Sequence, residues 1–100
     1  MKEKRRILVV EDEIPLAMMM VSLLTRAGYE VEAACNAEKA VQLAKNVEFD
    51  LITLDLNMPD GSGFEIFRSL KQLAHLRDTP VVFVTSCATP ENQLRAFEIG

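Results

Sequence analysis

Four acidic residues stand where two apolar runs stop. Glu11, Asp12 and Glu13 follow Ile7 to Val10, and Asp55 follows Leu51 to Leu54. Short apolar runs of this kind mark strands covered on both faces, as in a parallel sheet. A carboxylate directly after such a run sits at the strand's C-terminal mouth, where open α/β sheets bind ligands. Neighbouring strands lie about 4.8 Å apart, so once the two runs pair, Glu11, Asp12 and Asp55 share one crevice. Like charges at such separations either raise a pKa or recruit a cation. Hard oxygen ligands, few in number and leaving room for water, suit Mg²⁺ or Mn²⁺ better than zinc. Asn57, two residues past Asp55, can add its backbone carbonyl, and Thr85, after the apolar run Val81 to Val84, brings a hydroxyl across the crevice. A carboxylate beside a divalent cation can accept a phosphoryl group as an acyl phosphate. The chain has neither a GxxxxGK loop nor a GxGxxG turn, so nucleotide is not the obvious donor. The plainer alternative is that Asp55 only begins a loop or caps an element, and Asp55 taken alone does not decide.

The elements that must hold these acids follow from periodicity. Pro15 suits a first helical turn, Leu16, Met20, Val21 and Leu24 recur at helical spacing, and Gly28 closes the helix. Met18 to Met20 read as helix and core filler. Tyr29 to Ala34 alternates, with Glu30 and Glu32 opposing Val31 and Ala33, which predicts an edge strand with one wet side. Asn36 is the expected N-cap of a second helix through Val47, whose apolar face is Ala40, Val41, Leu43 and Ala44. Pro59, Gly61 and Gly63 force an irregular loop after Asp55. Phe64, Phe67, Leu70 and Leu73 trace a third helix running to a turn at Asp78 to Pro80, with His75 as ordinary surface near its end. Val81 to Val84 is a further strand, and Thr89 and Pro90 open a last helix through Ile99. Strand and helix alternate without repeat or linker, which implies a parallel sheet. Right-handed crossovers, with the alternating strand outside the first, predict the order 2-1-3-4.

Composition sets the outer bounds. The 100 residues allow a single α/β domain. A net charge of -4 argues against nucleic acid as a partner, because phosphate contacts need clustered Lys and Arg. The one basic cluster, Lys2 to Arg6, reads as a solubilising lead-in to the first strand. No secretory leader is expected and the apolar runs are too short to span a bilayer, which predicts a cytoplasmic protein. Cys35 and Cys87 follow apolar runs without metal spacing, so reduced, half-buried thiols are expected.

Taken together, these residues resemble the receiver domain of bacterial two-component response regulators. The resemblance rests on Glu11 and Asp12 after the first strand, on Asp55 after the third with Met58, Pro59 and Gly63 following, and on Thr85 after the fourth. It runs from about Arg6 to Gly100. It implies a doubly wound, flavodoxin-like three-layer sandwich. It also implies a phosphoacceptor signalling module, in which Asp55 takes a phosphoryl group from a phosphohistidine on a sensor histidine kinase or phosphotransfer protein. Asp12, Asp55 and the Asn57 carbonyl would hold Mg²⁺, Glu11 would support the metal through water, and Thr85 would bind the phosphoryl oxygen and act as a switch.

The chain departs from that family at its end. Receivers carry a lysine and an aromatic switch residue on a fifth strand, then a fifth helix, and the sequence stops at Gly100 before all three. The expectation is a single receiver domain over 1–100, C-terminally incomplete, that self-associates through the strand Val81 to Val84 or an uncovered sheet face. The missing lysine keeps open a receiver-like interaction module that is never phosphorylated. An aspartyl-nucleophile phosphatase of the haloacid dehalogenase type fits less well. Its nucleophile follows the first strand and has a second aspartate two residues on, where this chain has Asn57.

Overall fold

The computed structural model describes residues 4–55 and 63–84. Strand β1 (Arg6–Val10) leads to helix α1 (Ile14–Arg26), β2 (Glu30–Ala34), α2 (Ala37–Asn46), β3 (Leu51–Asp55), α3 (Gly63–Lys71), a 3₁₀ turn (Ala74–Leu76) and β4 (Val81–Val84). The strands pair in parallel in the expected order β2-β1-β3-β4. Asn57, Cys87, Thr85, the loop at Pro59 and Gly61 and the helix expected over Thr89 to Ile99 lie outside the described residues.

The register decides which side chains share a face. Leu8 pairs with Ile52 and Val10 with Leu54, and with Val81 they form one core with Ala40 and Ala44 of α2 and Ile66 and Leu70 of α3. Side chains alternate between faces along a strand, so Ile7, Val9 and Thr53 face the opposite layer, where α1 buries Ala17. Thr53 breaks the apolar character of β3. It is buried, and its Oγ1 is without a hydrogen-bond partner among the described residues.

The elements follow their local signals, with four departures. Asn36 caps α2 as its type predicts, accepting from the Lys39 N–H at 2.8 Å, and Gly28 takes φ +104 just past α1, a conformation that strains any residue with a Cβ. Met18 and Met19, however, are not core filler. They are 67% and 52% exposed, because consecutive helical residues point about 100° apart and three in a row cannot all face one sheet. Cys35 is exposed rather than half-buried, since it follows β2 at the sheet's outer edge. The alternation of β2 is imperfect: Ala33 is exposed, while Ala34, on the face of the glutamates, is buried beneath the start of α2. Helix α3 stops at Lys71 rather than running on towards Asp78, and the 3₁₀ turn that follows sends Leu76 into the core. His75 is exposed, and its Nε2 lies 2.7 Å from the Ala44 carbonyl oxygen, joining this turn to α2.

The Asn36 cap satisfies one of the amide groups that a helix N-terminus leaves without an intrahelical partner. Asn36→Ala should lower stability by about 1 kcal/mol, read as a shift in the urea midpoint at unchanged slope, whereas Glu38→Ala on the exposed face beside it should cost much less.

Candidate functional site

The acid cluster is built by strand pairing. Val10 stands opposite Leu54, so the next residue on each strand, Glu11 and Asp55, must also be neighbours. Residue 11 stays in line with the sheet because its N–H donates to the Ala34 carbonyl of β2 at 3.0 Å. Only then does the chain turn into α1. Glu11 Oε2 accepts from the Glu13 N–H at 3.1 Å, which folds the acid back over the turn. One carboxylate oxygen from each of Glu11, Asp12 and Asp55 lies within 4.8 Å of the others. Glu11 and Asp55 are each only 2% exposed and Asp12 is half-buried.

So much negative charge in so little water shifts a proton equilibrium. The Glu11 carboxyl is raised from 4.5 to about 7, mainly by burial, opposed by the Glu13 N–H and reinforced by Asp55 and Asp12. A proton on Glu11 lessens the repulsion within the cluster. A divalent cation would do the same work more completely. Six oxygens around Mg²⁺ at about 2.0–2.1 Å stand about 3–4 Å apart, so a small inward movement would let Asp12 and Asp55 join such a shell, with Glu11 near enough to reach it through water. The donors are hard oxygens, and the half-buried Asp12 leaves room for water. The residues present therefore fit Mg²⁺ or Mn²⁺. Beside Glu11 opens a groove between α1 and the β2–α2 turn, bordered by Ile14, Met18, Ala33 and Cys35.

Residues 7–100 match the response regulator receiver domain, and the chain belongs to that family. It is 40% identical over 96 residues to the phosphate regulon transcriptional regulatory protein PhoB of Klebsiella pneumoniae, covering 96% of this chain and 42% of that protein. The chain thus spans less than half the length of the curated relatives it matches. The chemotaxis protein CheY4 of Vibrio cholerae superposes with a TM-score of 0.88 at 32% identity, over 98% of this chain and 82% of that one. A chain in the complex of histidine kinase ThkA with response regulator protein TrrA superposes with a TM-score of 0.76 at 30% identity, over 86% of this chain and 72% of that one. Receiver domains are regulatory signalling modules rather than conventional enzymes, and the acid cluster of this chain stands at the mouth of the receiver sheet.

The sign of the Glu11 shift has a consequence for stability. The folded state holds this proton more tightly than the unfolded chain does, so stability contributed through Glu11 is present below pH 4.5 and is lost as pH rises towards about 7. Glu11 Cδ, followed by ¹³C NMR in chelator, should titrate near neutrality, and millimolar Mg²⁺ should move that titration to lower pH with release of a proton. A Glu11 titration that Mg²⁺ leaves unmoved would contradict the shared site.

Proposed function

We propose that this receiver domain accepts a phosphoryl group on Asp55, from a phosphohistidine of a sensor histidine kinase or phosphotransfer protein, in a Mg²⁺-dependent reaction within the cytoplasm. The observation that carries the proposal is the convergence of Glu11, Asp12 and Asp55 within 4.8 Å at the mouth of β1 and β3 in a chain of this family. Asp55 is suited to be the acceptor because it ends a buried strand, which fixes its position, while its carboxylate stands at the crevice.

In the reaction, a carboxylate oxygen of Asp55 attacks phosphorus as the P–N bond to the donor imidazole breaks, and that electron pair leaves with the imidazole. An anionic acceptor and an anionic phosphoryl group repel each other, and a divalent cation held here would supply the charge neutralisation that their approach needs. Asp12, Asp55 and the Asn57 backbone carbonyl would hold the metal, with Glu11 acting through water. Thr85 would donate its hydroxyl to a phosphoryl oxygen. The domain does this chemistry only on its own aspartate. An approaching protein has a surface to meet beside the site, because Ile14 and Met18 on α1 are 53% and 67% exposed along the groove next to Glu11. Among the described residues no helix is long and apolar enough to cross a membrane.

Asp55→Asn should abolish phosphoryl uptake from acetyl phosphate or a phosphorylated kinase, whereas Asp12→Asn should chiefly weaken Mg²⁺ binding. Intact-mass spectrometry with a Mg²⁺ titration separates the two, and persistent label in the Asp55 variant moves the acceptor elsewhere. Thr85→Ala should still take the phosphoryl group. It removes a charge-assisted hydrogen bond worth about 1.5–3 kcal/mol, comparable to the roughly 1–3 kcal/mol of coupling between sites. The NMR shifts that beryllofluoride induces after β4 should therefore shrink in that variant, and wild-type shifts would remove Thr85 from the switch.

A further inference from the structure

At the opposite end of the sheet, the last residue of α3 carries a charge that the acid cluster does not use. Lys71 Nζ donates to the carbonyl oxygens of Leu76 and Arg77, each at 3.2 Å, and to that of Thr79. An ammonium has three N–H donors, and here all three find backbone acceptors from one short segment. The same Nζ lies 5.9 Å from the centroid of the Phe67 ring, and that ring stands 5.3 Å from the Phe83 ring of β4. The caged segment runs into Pro80, whose carbonyl takes the Ile52 N–H of β3 at 3.0 Å. Val81 then pairs with Ile52.

Strand β4 needs such an anchor. Where one face is polar, slipping a strand by one residue moves its apolar set into water, and the pattern enforces the register. The sequence Val81, Val82, Phe83, Val84 is apolar on both faces, so a slip exchanges one apolar side chain for another and the pattern enforces little. The start of the strand must be fixed from outside it.

We propose that Lys71 is the positioning residue of β4. Its tethered cation closes a cage of three carbonyls, fixes the point at which the chain joins β3, and so sets where the strand ends, at Val84 opposite Asp55, and hands the chain on towards Thr85. The last step rests on the role proposed above for Thr85, whereas the cage and the register stand without it.

Two measurements test this on the full chain. In the ¹⁵N-labelled wild type, the Lys71 ammonium should exchange slowly with water at neutral pH and show couplings across its hydrogen bonds to the carbonyl carbons of Leu76, Arg77 and Thr79. Ammonium exchange as fast as that of the exposed Lys39 or Lys45 would overturn the cage, and this experiment needs no variant. Lys71→Met keeps the stem and removes the donors, and it should speed hydrogen exchange of the Ile52 amide by about tenfold or more. Lys71→Arg keeps the charge and should show a smaller rise. Wild-type Ile52 exchange in Lys71→Met, or equal loss in both variants, would assign the effect to packing and defeat the proposal. In Lys71→Met the beryllofluoride-induced shift at Thr85 should also shrink while binding at Asp55 persists. If wild type takes up no phosphoryl group, the functional reading fails while the exchange results still decide the register.

Discussion

Carboxylates crowded at the mouth of a parallel sheet repel one another, and the rest of the molecule has to hold them there. As three carboxylates, Glu11, Asp12 and Asp55 do not draw one another together. They meet because Val10 pairs with Leu54 and the Glu11 N–H is tied to β2. Cooperative backbone hydrogen bonds and a buried apolar core supply the stabilisation, and the charges use part of it. The cluster is therefore poised to take a proton or a cation, whichever relieves the repulsion at a given pH and metal concentration.

The two faces of the sheet contribute unequally. Beneath α2 and α3 the core is dense, with Leu8, Ile52, Leu54, Leu70 and Leu76 at most 1% exposed. Burying such side chains is worth about 1.5–3 kcal/mol each, so this layer supplies most of the local stabilisation. On the other face, Ala17 is the one buried residue of α1, and Ile14, Met18, Met19 and Leu23 remain more than half exposed. The acid site thus combines a rigid strand frame with a neighbouring helix whose apolar surface is accessible.

The two ends of β4 have different tasks. Its C-terminal end points towards the crevice, while its N-terminal end is joined to α3 through the Lys71 ammonium and to β3 through Pro80. Phe67 and Phe83 link the same two elements through their rings. A displacement of β4 would meet α3 directly through these contacts, so the strand's position is shared between the site and the helix layer.

The sequence by itself determined the architecture and the acid cluster, because both depend on local order along the chain. Three apolar runs and one alternating segment, separated by helical periodicities, leave few parallel topologies, and an acid directly after an apolar run has to sit at a strand mouth. Asn36 was legible as a cap for the same reason, its side chain reaching a backbone amide three residues on. Tertiary structure decided what depends on distance through space. The exposure of Met18, Met19 and Cys35 follows from how α1 and β2 meet the sheet. The raised pKa of Glu11 follows mainly from burial that no neighbour in sequence reveals. The role of Lys71 is not legible in the sequence because its partners are carbonyls, which every residue carries; only the fold shows which of them converge on one ammonium.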